Sequence, residues 1–115
     1  MAAAAVEINL VPFSFDEDVV FAVTLGTAFA TAYTASSPSD LSLDYAVSRN
    51  GFDVLTLTIN AGLELDTVTG DLTVRIARGT LAPSRYDHLL RMTRLSTDEA
   101  RAIFGGHLTI AKGAF

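Results

Sequence analysis

The chain has 115 residues, of which half are hydrophobic, 18% are charged and none is cysteine. This length and apolar content favour one folded domain with a single core and exclude intrinsic disorder, while the lack of cysteine excludes disulfides, thiolate metal sites and a cysteine nucleophile. The formal net charge is −5, and most of the acidic residues lie in the first half of the chain, which argues against nucleic-acid binding there.

The chain begins with an alanine-rich stretch that lacks the basic residues of a secretory signal. We expect residues 1–5 to form a flexible N-terminal arm and residues 6–115 to form one β-sandwich domain. No apolar run approaches the roughly 18–20 residues of a membrane span, so we expect a soluble protein.

Hydrophobic side chains then recur at every second position, which is the period of a β-strand. Seven segments show this alternation, starting near Val6, Val19, Leu41, Leu55, Leu72, Tyr86 and Leu108. Short strands joined by turns, without helical crossovers, predict an all-β fold: an antiparallel β-sandwich, Ig-like or jelly-roll-like, with about seven strands. Its predicted core residues are Phe21, Val23, Leu43, Tyr45, Leu57, Val74, Leu90 and Ile110.

Turn chemistry separates these segments. Asn50-Gly51 is typical of a two-residue hairpin turn, and Thr69-Gly70-Asp71 also predicts a tight turn. Ser96 and Glu99 have the spacing of a capping box, and Gly105-Gly106 would end a helix that starts there. We therefore predict at most one short helix, near residues 97–104.

The charges divide unevenly along the chain. Residues 1–71 hold ten acidic residues and one basic residue, a net charge of −9, whereas residues 72–115 hold seven basic and three acidic residues, a net charge of +4. One interpretation is that strands from the two halves interleave and the charges mix on the surface. The other is a bipolar subunit whose acidic face meets a neighbour's basic face.

Few residues in the sequence suggest a catalytic or metal-binding site. His88 and His107 are the only histidines, and no local spacing pairs them with a carboxylate as a metal site requires. His88 shares a strand face with apolar residues, which favours a core position. Asp16-Glu17-Asp18 is acidic but lacks the flanking ligands of a calcium loop. We expect no catalytic residue, no cofactor and no metal site, and hence a protein that is not an enzyme.

Three parts of the chain resemble a known family. They are Phe15–Val23, Asp40–Leu43, and Leu81–Thr93 followed by Ile103–Ile110. Together they resemble the small Ig-like β-sandwich domains of tailed-phage structural proteins, and in particular the N-terminal domain of the baseplate upper protein of lactococcal phages. The resemblance covers roughly residues 13–115 and implies a non-enzymatic virion structural protein. The chain departs from the family in lacking a fibre or receptor-binding segment and a threonine-rich continuation after the sandwich. We therefore expect a head decoration or cement protein, or a head–tail or tail accessory subunit, and not a tail fibre.

The resemblance implies that the partners are other virion proteins, either major capsid or tail proteins, together with further copies of the chain, and neither nucleic acid nor membrane. Termini often extend across a neighbouring subunit. The candidate partner-binding residues are accordingly Ala2, Ala3, Ala4, Ala5, Val6, Lys112 and Phe115. The alternative is a carbohydrate-binding or host-receptor-recognition module of a tail fibre or baseplate. That function needs an exposed aromatic cluster, and the absence of tryptophan counts against it.

Overall fold

A computed structural model describes residues 6–7, 10 and 12–112. Over these residues the chain forms one α-helix, α1 (Thr27–Thr34), and nine β-strands. The strands are β1 (Val6–Glu7), β2 (Phe13–Ser14), β3 (Val19–Thr24), β4 (Leu41–Arg49), β5 (Phe52–Ile59), β6 (Gly62–Leu65), β7 (Asp71–Ile76), β8 (Ser84–Arg94) and β9 (Glu99–Ala111). The predicted fold class, mainly β with one short helix, is confirmed.

All the strands belong to a single sheet with the order β1-β9-β8-β4-β5-β6-β7-β3, and β2 also pairs with β9. The long ladders β4–β5, β4–β8, β8–β9 and β3–β7 are antiparallel, whereas β1 and β2 lie parallel to β9 and β6 is parallel to β5. The sheet curls into a sandwich-like, nearly closed barrel. Its two ends are therefore β3 on one side and the short N-terminal strands on the other.

The predicted hairpin between β4 and β5 is confirmed. Asn50 and Gly51 form a two-residue turn and both have positive φ, 53° and 82°. That backbone geometry matches the twist of the two strands. The register of the hairpin then shifts between Val47 and Ser48, so that β5 carries a bulge at Val54.

The helix predicted near residues 97–104 is wrong in position. Asp98 adopts a positive φ of 56° in a turn, and Glu99–Ala111 is strand β9. β9 pairs with β8 along the whole of β8. A ladder of that length satisfies far more backbone groups than a short capped helix does, so the hairpin pairing overrides the capping pattern.

The single helix lies instead at α1, which begins after Gly26 and has no capping side chain. The turn between β6 and β7 holds it in place. Leu25 N donates to the carbonyl of Gly70 at 2.9 Å, and a side chain on Gly70 would overlap the carbonyl oxygen of Gly26. Both glycines have positive φ. Two glycines from distant turns thus allow the close contact that fixes the chain at the start of α1.

The core lies on the inner face of the curled sheet. Six of the eight predicted core residues are buried, as predicted: Leu43, Tyr45, Leu57, Val74, Leu90 and Ile110. The other two, Phe21 and Val23, pack against the core but are only half-buried. They lie on β3, which has a neighbouring strand on one side only. No helix among the described residues is long and apolar enough to cross a membrane.

Candidate functional site

An apolar pocket of about 350 Å³ opens where β3 passes into α1, opposite the β8–β9 hairpin. It is lined by Val23, Thr24, Leu25, Phe29, Met92, Ile103 and Phe104. Its volume lies in the range of small-ligand and anchor pockets, and the mouth of a barrel is one of the places where such pockets occur.

Local sequence explains how α1 contributes to this pocket. Phe29 lines the pocket, Ala30 is buried, and Tyr33 follows Phe29 one helical turn later. The rings of Phe29 and Tyr33 stack with their centroids 6.2 Å apart, as side chains at positions i and i+4 can. An eight-residue helix is marginal alone. Phe29 packs against the core and forms the part of the pocket wall that α1 contributes.

The floor of the pocket is the edge of a buried aromatic cluster. Phe104 lines the pocket and packs on the ring of His88, with centroids 5.4 Å apart, while Phe21 and Tyr45 complete the cluster. The hydroxyl of Tyr45 lies 2.8 Å from Nδ1 of His88. Burial raises the pKa of Tyr45 above its ordinary value. His88 is thus a core histidine, as its place on an apolar strand face predicted.

The pocket offers apolar surface rather than reactive groups. None of its lining residues is ionisable, and the hydroxyl of Thr24 donates to Oδ1 of Asp71 at 3.1 Å. General acid–base catalysis requires a titratable group within hydrogen-bonding reach of the substrate. The lining therefore suits the binding of an uncharged, apolar group.

The free edge of β3 adjoins this pocket. β3 pairs with β7 at all six of its positions, and no described residue pairs with its other edge. Its exposed outer face carries Val20, Ala22 and Thr24, and the strand contains no charge, no proline and no bulge. Val23 and Thr24 belong both to the strand and to the pocket. We call the free edge of β3 together with the pocket the β3 groove.

The other candidate sites have structural roles. His107 Nδ1 lies 3.0 Å from Oδ1 of Asp87 on the surface, and the described part of the chain contains no group of three or more residues that could hold a metal ion. In the acidic run, Oε1 of Glu17 accepts from Ser14 N at 2.6 Å. Neither feature forms a ligand-binding site in this geometry.

Asp18, the third acid of that run, bonds to Arg78. Its Oδ1 accepts from both the backbone N and Nε of Arg78, at 2.9 and 3.3 Å, and these contacts lower the pKa of the Asp18 carboxyl. The acidic run therefore shapes and anchors the turn between β2 and β3.

Ion pairs show how the two charged halves are arranged. Acids of the first half pair with bases of the second half in Asp18–Arg78, Asp44–Arg91 and Asp40–Arg94, at 3.3, 3.7 and 3.6 Å. The cause is the strand order, which places β3 beside β7 and β4 beside β8. Of the two interpretations of the charge asymmetry, these pairs support interleaved strands and a mixed surface.

Of the terminal residues predicted to bind partners, only Val6 and Lys112 lie within the described part of the chain. Ala2–Ala5 and Phe115 lie outside the described residues. Val6 pairs with Phe104 in the middle of β9, whereas Lys112 is exposed just beyond the end of β9. Phe104 and Lys112 are eight residues apart in the sequence, which corresponds to roughly 26 Å of extended strand.

Sequence reasoning missed the β3 groove, although one signal was present. Val19–Thr24 has uncharged residues on both faces of the strand, whereas β4, β7 and β8 carry charges on their outer faces. A neutral outer face is unusual for a strand at the end of a sheet. The position of β3 in the strand order, however, cannot be read from the local sequence.

Comparison with protein-family models finds no match to this chain, and comparison with curated protein sequences finds no significant match. The geometry of the β3 groove and the resemblance described above therefore carry the functional inference.

Proposed function

We propose that this chain is a non-enzymatic structural subunit of a bacteriophage virion that binds other virion proteins. It acts as a head decoration or cement protein, or as a head–tail or tail accessory subunit. The observation that carries the binding role is the open, uncharged edge of β3 beside an apolar pocket. The sequence resemblance to tailed-phage structural domains supports the virion as the assembly.

The state of the β3 edge supports a protein-binding role. Native proteins normally blunt edge strands with lysine, proline, bulges or a covering segment, because an open edge pairs with other chains. β3 has no lysine, proline or bulge. By contrast, the start of β5, which pairs with β4 but not with β6, carries both a bulge and Asp53. A protein that protects one edge and leaves another open is suited to recruiting a specific partner.

The alternative function as a carbohydrate-binding module has less support. Sugar-binding surfaces use exposed aromatic rings, and Phe52 is the exposed large aromatic side chain among the described residues. The other described aromatic residues are buried or half-buried. A single ring at a hairpin does not form a platform of stacked aromatics.

The composition of purified particles tests the virion assignment. Phage particles are purified through a density gradient and treated with high salt, and this chain is quantified by mass spectrometry against the major capsid and tail proteins. The proposal expects the chain to co-sediment with particles at a fixed ratio. Its presence only in the soluble fraction of the lysate would overturn the virion role.

A further inference from the structure

We propose that the partner of this protein supplies an extended, uncharged β-strand that pairs with the free edge of β3 and places a bulky apolar side chain in the adjoining pocket. This inference rests on the proposed function, because it specifies how a protein partner is recognised. It concerns the β3 groove alone and applies to any partner that carries such a strand.

The backbone of β3 is suited to this type of partner. The six residues of the strand bond to β7 in an unbroken antiparallel register, so their remaining backbone groups form a regular row along the opposite edge. An added strand satisfies such a row by main-chain hydrogen bonds, and pockets for alternate side chains provide specificity. The regular register of β3 makes it a better template than the start of β5, where the bulge interrupts the spacing.

The inward-facing residues of β3 become less buried after the start of the strand. Val19, at the start of the strand, is 3% exposed, but the next inward residues, Phe21 and Val23, are only half-buried. Across the opening, Phe21 meets β9 through the ring of Phe104, at a centroid distance of 6.5 Å. A strand added to β3 would cover Phe21 and Val23 and thus remove apolar surface from water.

The pocket determines the chemistry of the partner strand. The apolar cavity adjoins the end of β3 at Val23 and Thr24, so a strand paired with β3 reaches it through one side chain. The lining has no ionisable group, and an unpaired charge in such a cavity loses its hydration without compensation. A leucine, methionine or phenylalanine side chain fits these conditions, whereas a carboxylate or ammonium does not.

The uncharged lining of the pocket also disfavours a second copy of the chain that pairs β3 with β3. In an antiparallel arrangement of two β3 strands, the end of one strand faces the start of the other. Glu17 and Asp18 of the second copy would then lie beside the apolar pocket. The neutral groove therefore favours a strand from a different protein.

Synthetic peptides test the proposal without altering the protein. The probes are peptides of about ten residues with alternating threonine and valine and one leucine near either end, so that parallel and antiparallel docking are both sampled. In one matched control peptide, glutamate replaces the leucine. In the other, alternate backbone nitrogens are methylated. NMR titration of the full chain locates binding and measures affinity.

The proposal expects a leucine peptide to shift the amide signals of Val19–Thr24 and to slow their hydrogen exchange. Glutamate at the anchor position should weaken binding by at least about tenfold, and N-methylation should abolish it. The double variant Val20→Lys, Ala22→Lys should also weaken binding, because lysine on an edge strand opposes pairing. The matched control Val54→Lys, on the exposed start of β5, should leave binding unchanged.

Equal affinity for leucine and glutamate peptides, or amide shifts confined to other strands, would overturn the proposal. Self-association through β3 without peptide binding would also overturn it, in favour of a second copy. Virion incorporation separates this inference from the proposed function. A β3 variant that is folded and incorporated normally would refute the groove and leave the virion role intact. Peptide binding by a chain that is absent from particles would refute the virion role and leave the groove intact.

Discussion

The hydroxyl oxygen of Tyr45 lies 2.8 Å from Nδ1 of His88, inside the core where β4 and β8 run side by side. Tyr45 is fully buried and His88 is 2% exposed. The rings of Phe21 and Phe104 pack around the pair in tilted and edge-on arrangements. Polar side chains are tolerated at such depth when they hydrogen-bond, so this contact allows a histidine to occupy the middle of an apolar core.

Replacing Tyr45 with phenylalanine should destabilise the protein by about 1–3 kcal/mol, because it removes the buried hydroxyl bonded to His88 and keeps the ring. Urea denaturation followed by circular dichroism measures the change. Tyr33→Phe is the matched control, since that ring is half-buried on α1, and its effect should be within about 0.5 kcal/mol. Equal effects of the two substitutions would show that the Tyr45–His88 contact adds nothing.

Alkaline pH should destabilise the fold through Tyr45. Burial raises the pKa of Tyr45 in the folded state, whereas the unfolded chain loses this proton near pH 10. The folded state therefore binds more protons above that pH, and the free energy of unfolding falls as pH rises, by up to about 1.4 kcal/mol per pH unit from this group. The Tyr45→Phe variant should lose stability less steeply between neutral and alkaline pH. Parallel stability–pH curves for the two proteins would contradict the assignment.

Gly70→Ala should be more damaging than Gly51→Ala, although the two glycines have nearly the same φ, 80° and 82°. A methyl group on Gly51 meets no atom within 4 Å, so it adds only the cost of positive φ, about 1–2 kcal/mol. A methyl group on Gly70 also overlaps the backbone of Gly26, which should add about 1–3 kcal/mol. Thermal and urea unfolding of both variants measure the difference. Similar stabilities would show that the turn between β6 and β7 does not fix the start of α1.

Leu57→Ala should destabilise the protein by about 2–5 kcal/mol, because Leu57 is buried on β5 and its removal leaves a cavity. The matched control is Leu95→Ala in the β8–β9 turn, where the side chain is 59% exposed and the change should be within about 0.5 kcal/mol. Both free energies of unfolding come from urea titrations. A loss below about 0.5 kcal/mol for Leu57→Ala would show that this face of β5 does not contribute to the core.

Local patterns in the sequence predicted most of the core and every strand except the short β2 and β6. Alternation placed Leu43, Tyr45, Val74 and Leu90 on inward faces, because the side-chain period of a strand is a property of the strand alone. The turn at Asn50-Gly51 was predictable because a two-residue hairpin turn needs positive φ at both positions, and asparagine and glycine adopt positive φ readily.

The errors arose where local and long-range interactions compete. Ser96 and Glu99 have the spacing of a helix cap, but Glu99 pairs with Arg94 as the first residue of β9. β8 ends at Arg94, so the hairpin ladder with β8, and not the capping pattern, decides the conformation of Glu99. Partner binding by the terminal residues stays a prediction. The β3 groove was missed because it combines β3, α1 and the β8–β9 hairpin.

The sequence by itself determined the longer strands, their inward faces and the β4–β5 turn, because dihedral preferences and side-chain alternation act over a few residues. Only the tertiary structure decided that β3 ends the sheet, that His88 bonds to Tyr45, and that Gly26 meets Gly70. Each of these depends on segments more than 40 residues apart or on the strand order of the whole sheet. The open edge and its pocket belong to this second class, because an edge exists only once every other strand has found its neighbours.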